Sequence, residues 1–173
     1  MKKYLVETKR IMEEESEYII PENGEVFKKI INDLTKPFKN KKITKVVAID
    51  MKGLMYGSPV ANRLGTSFVP ILKGGKIKNR GKVLETKKII DYSGKKKCFE
   101  AFKDSINRND KILLVDDWFE SGNTGKETIK LIETLGGKVV GISVLFNQLN
   151  AENEKYFNKY HYHYLIKLEP KIK

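Results

Sequence analysis

Apolar residues recur in two rhythms along this chain, one of three to four residues and one of short unbroken runs. Between residues 24 and 38, Val26, Phe27, Ile30, Ile31 and Leu34 keep helical spacing, which predicts a helix with one buried stripe. Pro37 disfavours its continuation, since proline lacks an N–H and restricts the residue before it. Residues 43–49 (ITKVVAI) are short, β-branched and mostly apolar, so they predict a buried strand, and residues 66–72 predict a second. Residues 54–64 between them suit a helix, with Gly57 and Pro59 expected in its first turn.

From residue 73 to 88 the rhythm stops. The stretch KGGKIKNRGKVLETKK has three glycines and many cations, the composition of a mobile basic loop. Residues 89–92 are expected to close it as a short strand, and residues 99–106 predict a short helix. Residues 111–115 (KILLV) are the clearest strand and residues 124–135 the clearest helix, with Ile129, Leu131, Ile132 and Leu135 on its apolar side. Gly136 and Gly137 supply its stop. Residues 139–146 predict another strand and residues 162–168 a last one.

Strands alternating with helices predict an α/β fold with a parallel sheet. Ligands bind such sheets beyond the carboxyl ends of the strands. Three places therefore matter: residues 50–53, the basic loop after residue 73, and residues 116–125.

Composition narrows the picture only in part. The 173 residues suit one domain, and 40% apolar with 32% charged residues reads as globular. Cys98 is the one cysteine, so no intrachain disulfide can form, which suits a reducing compartment. The first residues carry no apolar signal region, and no apolar run nears the roughly 18 residues of a membrane span. A cytoplasmic protein that does not engage a membrane is the expectation. The formal net charge of +12 allows affinity for a polyphosphate or a nucleic acid, or equally a scatter of surface lysines.

Residues 111–127 (KILLVDDWFESGNTGKE) carry the chemistry. An apolar strand leads into Asp116 and Asp117, and a small-residue loop opens a helix. Ser121, Gly122, Asn123, Thr124 and Gly125 would bring backbone N–H groups and hydroxyls to that helix N-terminus, a setting that attracts phosphate. Adjacent carboxylates would repel a bare phosphate but would accept hydrogen bonds from ribose hydroxyls, or hold a divalent cation. Alternatively, Ser121 or Thr124 caps the helix and the two acids form an exposed turn. The dinucleotide pattern G-x-G-x-x-G is missing here. The P-loop pattern also fails, because Gly125-Lys126 is followed by Glu127 and position 120 is not glycine.

The stretch ILLVDDWFESGNTG is similar to the phosphoribosyl pyrophosphate signature of type I phosphoribosyltransferases. Upstream, VVAIDMKGLMYGSPVANRLGTSFVPILKGGK resembles the matching region of the adenine branch, with an Asp-x-basic-Gly turn, a Phe-Val-Pro strand and a Lys-x-Gly-Lys loop. The likeness spans residues 45–146. It implies a Rossmann-like parallel sheet flanked by helices, a mobile catalytic loop at about residues 73–95, and a small hood from residues 1–40, the C-terminal part, or both.

By that resemblance Asp116 and Asp117 engage the ribose and its magnesium, and residues 121–125 hold the 5-phosphate. Met51, Lys52 and Gly53 match the pyrophosphate loop, while Lys73 and Lys76 match cations that close over departing pyrophosphate. Glu120 stands where adenine-specific relatives have a small residue and 6-oxopurine relatives an acid. Asp91 matches the Glu of a Glu-Tyr-Gly segment in adenine enzymes. Either would serve as the acid or base, with Lys76 in the catalytic loop. The resemblance thus implies magnesium-dependent transfer from phosphoribosyl pyrophosphate to a nitrogenous base in purine salvage, adenine favoured, by a homodimer. Two alternatives remain: a 6-oxopurine or unusual base as acceptor, or a phosphoribosyl-pyrophosphate sensor that binds nucleic acid. The sensor is disfavoured, because no helix-turn-helix addition is evident and the loop lysines are retained. Trp118 and Phe119 are bulkier than the family's usual aliphatic pair at those positions. His161 and His163 would share a face of the last strand, and two histidines alone make a poor metal site.

Overall fold

The computed structural model describes residues 2–78, 80–86, 88–90 and 96–170. The chain opens with helix α1 (Lys3–Glu14), a 3-10 turn (Glu17–Glu22) and helix α2 (Gly24–Thr35). Strand β1 (Lys45–Ile49), helix α3 (Lys52–Leu64) and strand β2 (Ser67–Lys73) follow. Next come β3 (Val83–Glu85), β4 (Ile89–Ile90), β5 (Lys96–Lys97) and β6 (Phe99–Phe102). The second half holds β7 (Lys111–Phe119), α4 (Asn123–Thr134), β8 (Lys138–Asn147), α5 (Ala151–Phe157) and β9 (Tyr162–Lys167).

Seven strands form one sheet in the order β3-β6-β2-β1-β7-β8-β9, and β4 pairs with β5 apart from it. The run β2-β1-β7-β8-β9 is parallel throughout. The other edge is antiparallel, β2 with β6 and β6 with β3. The sheet is therefore mixed, and the predicted parallel sheet is its central and β9 side.

Alternation along the buried strands divides the core in two. Val46 and Ala48 of β1, with Leu113 and Val115 of β7, pack on one face against Ile30, Leu34, Tyr56 and Val60 of α2 and α3. Val47, Ile49, Ile112 and Leu114 face the other way, toward Ile129 and Ile132 of α4. Each fully buried aliphatic side chain contributes roughly 1.5–3 kcal/mol, and a strand buried on both faces must be apolar at every position. That requirement explains the unbroken runs in β1 and β7.

Two expectations are corrected. The predicted helix at residues 99–106 is strand β6 and a turn. Phe99 and Ala101 join the apolar core, and Glu100 between them is also buried but bonded to the neighbouring loop, so side-chain chemistry rather than burial alternates there. The helix expected to begin near residue 54 begins at Lys52, so Gly57 and Pro59 lie mid-helix. Its buried stripe runs Gly53, Tyr56, Gly57, Val60, Ala61 against the sheet. Part of the basic segment after Lys73 is tied to the sheet: Glu100, fully buried, accepts from Gly75 N at 3.1 Å and Ile77 N at 2.6 Å, and β3 pairs along β6. Helices α1 and α5 had no counterpart in the periodicity analysis.

Candidate active site

The parallel strands β1 and β7 are hydrogen-bonded neighbours, so their carboxyl ends open at one place. Strand β1 ends at Ile49 and delivers Asp50, and α3 starts at Lys52. Strand β7 continues through Asp116, Asp117 and Trp118 to Phe119, which pairs with Asn147. The alternative of an exposed turn at Asp116–Asp117 is therefore not adopted: the two acids belong to the last part of a strand, and both are buried. Backbone pairing with β8 carries the strand past its apolar stretch.

Two adjacent carboxylates in one buried place repel each other. Burial first, and then the charge of Asp117, hold Asp116 well above the usual carboxylate range. Asp116 Oδ1 accepts from Asp117 N at 3.0 Å. Asp117 Oδ2 is buried without a hydrogen-bond partner, although the Lys52 ammonium lies 3.3 Å away as an ion-pair contact. Gly53 makes this approach possible, because a Cβ there would stand 2.4 Å from Asp116 Oδ1.

After β7 the chain turns through Glu120 and Ser121 into α4. Gly122 is the N-cap residue, at φ +78°, where a side chain would be strained and a Cβ would meet Phe157 Cε2 at 2.7 Å. No side chain caps the helix, and the contact from Asn123 N to Ser121 Oγ is long, at 3.4 Å. The capping alternative is thus not adopted, and the first amides of α4 have no intrahelical partner. That is the arrangement an anion uses.

Lys52 binds a second carboxylate. Its ammonium donates to Glu17 Oε1 of the N-terminal 3-10 turn and stands 5.4 Å from the centroid of the Tyr18 ring. Burial opposes the charge on Lys52, but Asp117 and Glu17 outweigh it and raise its pKa. On the β1 side, Asp50 Oδ2 accepts from Lys73 N at 3.1 Å and from the Lys76 ammonium. Burial would raise Asp50, yet Lys76 and the Lys73 amide hold it below its usual value.

A cavity of about 340 Å³ gathers these groups. Of the residues singled out from sequence, Met51, Lys52, Lys73, Asp116, Asp117, Glu120, Ser121, Gly122, Asn123, Thr124 and Gly125 line it. Gly53 lies just behind Asp116. Lys76 is paired with Asp50 and does not line the cavity. Asp91 lies outside the described residues. Sequence reasoning missed Glu17, Tyr18, Lys97 and Phe99, which also line the cavity, and left Trp118 without a role there. The indole of Trp118 packs on Phe146, and its Nε1 donates to Gln148 Oε1 at 3.1 Å. Nothing in the spacing around Glu17 announces a site. His161, exposed just before β9, and His163, partly buried within it, both make T-shaped ring contacts with Phe38.

The carboxylate oxygens of Asp116 and Asp117 suit a hard divalent cation, which at Asp117 Oδ2 would share its oxygen with the Lys52 ammonium. Among the described residues no group of three or more His, Cys, Asp or Glu forms a metal site. Two carboxylates fit an ion that takes its remaining oxygens from a bound ligand.

An α/β sheet whose strand end presents twin buried acids before an uncapped helix N-terminus defines a protein that binds a sugar phosphate. The comparisons name it more closely. The family described as "Phosphoribosyl transferase domain" matches residues 15–171, and the chain belongs to that family: it is a phosphoribosyltransferase. It is 32% identical over 147 residues to the adenine phosphoribosyltransferase of Clostridium botulinum, covering 85% of this chain and 83% of that one. Among solved structures it resembles the adenine phosphoribosyltransferase of Rhodothermus marinus, at TM-score 0.77 and 30% identity over 86% of this chain and 83% of that one. It also resembles the APRTase of Giardia lamblia complexed with 9-deazaadenine, at TM-score 0.78 and 28% identity, with 87% and 83% covered.

Proposed function

We propose that this enzyme transfers the 5-phosphoribosyl group of phosphoribosyl pyrophosphate to adenine, releasing pyrophosphate and forming a nucleoside 5'-monophosphate for purine salvage. The observation that carries the reading is the buried Asp116–Asp117 pair directly ahead of the open amides of α4, in one cavity with Lys52 and Lys73.

Asp116 and Asp117 accept hydrogen bonds from the ribose hydroxyls and would hold the magnesium. The amides and hydroxyls of residues 121–125 hold the 5-phosphate. Met51, Lys52 and Gly53 meet the pyrophosphate, and the Lys73 ammonium adds charge from the next strand. Lys76 joins them after leaving Asp50. As the glycosidic bond lengthens, positive charge grows on the ribose and negative charge on the leaving group. Preplaced cations stabilise the latter, and a closed basic loop keeps out water that would hydrolyse the sugar. Magnesium, when bound, adds to that neutralisation. Glu120 or Asp91 takes the proton from the base. The N-terminal turn and helices serve as the hood, and the active form is a cytoplasmic homodimer.

Glu120 lining the cavity favours one second reading, a 6-oxopurine as acceptor. Incubating the protein with phosphoribosyl pyrophosphate, magnesium and a panel of adenine, hypoxanthine and guanine separates the two. Adenosine monophosphate and pyrophosphate should appear in equal amounts. Inosine or guanosine monophosphate instead would transfer the assignment to the second reading, and absence of pyrophosphate with every base would end both.

A further inference from the structure

Glu17 shares the cavity with the groups assigned to phosphoribosyl pyrophosphate, yet that assignment gives it no task. It opens the 3-10 turn between α1 and α2, where Ser16 Oγ accepts from Tyr18 N at 3.3 Å. Its Oε1 accepts from the Lys52 ammonium, which also lies 3.3 Å from Asp117 Oδ2 and 5.4 Å from the Tyr18 ring centroid. One cation thus ties the N-terminal turn, the start of α3 and the end of β7 together. The side chains of Lys52 and Glu17 are 26% and 24% exposed, so solvent screens them less than a surface pair. Burial disfavours the charge on Glu17, but Lys52 holds its carboxyl below the usual range.

Lys52 is one positive charge serving two carboxylates. A pyrophosphate at residues 51–53 brings several anionic oxygens to the same ammonium and competes with Glu17 for it. Glu17 is then a half-buried carboxylate without its counter-ion, a costly state until another donor arrives. An ionised carboxylate only accepts hydrogen bonds. The 6-amino group of a purine placed against it satisfies it, whereas a 6-oxo group in the same place repels it.

We propose that Glu17 is the carboxylate that reads the acceptor base, and that Lys52 keeps it latched until a pyrophosphate group claims the ammonium. This rests on the transferase reading and adds a residue to it. Two consequences follow from the electrostatics. Base and pyrophosphate bind with positive, reciprocal coupling. The coupling favours an amino-substituted purine over an oxo-substituted one.

Calorimetric titration of adenine and of hypoxanthine, with and without saturating magnesium pyrophosphate, tests this without turnover. In the wild type, pyrophosphate should tighten adenine at least about fivefold, the lower end of ordinary coupling between sites. It should tighten hypoxanthine less. In Glu17→Gln, checked for folding by its melting curve, pyrophosphate still binds and the adenine ratio falls below about twofold. A folded Glu17→Gln protein with the wild-type ratio overturns the proposal. Should that variant not fold, the wild-type pair of bases decides, and equal coupling for both overturns it. A wild type that binds pyrophosphate and adenine with no coupling defeats this inference alone. One that binds neither defeats the transferase reading beneath it.

Discussion

Asp50 and the Asp116–Asp117 pair sit at the carboxyl ends of two hydrogen-bonded parallel strands, and all three carboxylates are buried, yet one acid has a cation and an amide to itself while two acids share the single ammonium of Lys52. Asp50 faces the Lys76 ammonium and the Lys73 amide, which hold its charge in place. Asp116 faces a like charge one residue away, and Asp117 keeps a buried oxygen with no hydrogen bond. A carboxylate with its partners present is committed to positioning a loop. On the proposed function, a carboxylate pair left under repulsion is held for groups that arrive with the substrate, since a fold seldom keeps such a cost without a use.

The difference can be broken most forcefully at the pair. Replacing both acids, in Asp116→Asn with Asp117→Asn, should lower turnover on the order of 10³-fold or more, the scale seen when preorganised polar groups at a reacting centre are removed. Full activity in that variant, measured by pyrophosphate release, would mean the two strand ends do not differ in function.

A smaller effect is expected at the other end. Asp50→Asn removes a charged acceptor from the Lys73 amide and frees Lys76, which is 52% exposed, so its ion pair is discounted for screening. A loss of about 1–2 kcal/mol follows, or a fall in Tm of roughly 2–8 °C for a chain of this size. The pH dependence has a definite sign. A carboxyl depressed in the folded state contributes fully above its unfolded value of about 3.9, and that contribution fades as pH falls through the folded value. The Tm gap between wild type and Asp50→Asn should therefore be constant from neutrality to about pH 5 and should close below about pH 4. A gap that widens in acid would show that Asp50 is not charge-paired.

The smallest shift should have the opposite direction. Asp116→Asn alone removes a buried like charge, so without magnesium its Tm at neutral pH should rise, by about 2–4 °C for each kcal/mol recovered. Stability gained where activity is lost is the expected trade at a functional site. A drop in Tm would place Asp116 with Asp50, as a structural acid.

Legibility differed in kind across the molecule. Strands β1, β2, β7, β8 and β9 and helices α2, α3 and α4 could be read because each buries a regular stripe or an unbroken apolar run. The open start of α4 could be read because Gly122 and its neighbours are consecutive, and local backbone chemistry demands those residue types. Strand β6 was misread as helix because its four residues are too few to reveal a period of two, and Glu100 interrupts them with a charge. Glu17 and Lys52 are 35 residues apart, and neither position marks the other.

The order of apolar runs, the acids ahead of a small-residue helix start, and the kinship to phosphoribosyltransferases were all determined by the sequence alone. They depend on neighbours within about fifteen residues, a span over which periodicity and turn chemistry act directly. The antiparallel edge, the partner each lysine chooses, and the identity of the cavity wall at Glu17, Tyr18 and Phe99 were decided only by the tertiary structure. Coulomb and packing forces act through space, and a linear pattern does not record which distant charges the folded sheet brings within reach of one another.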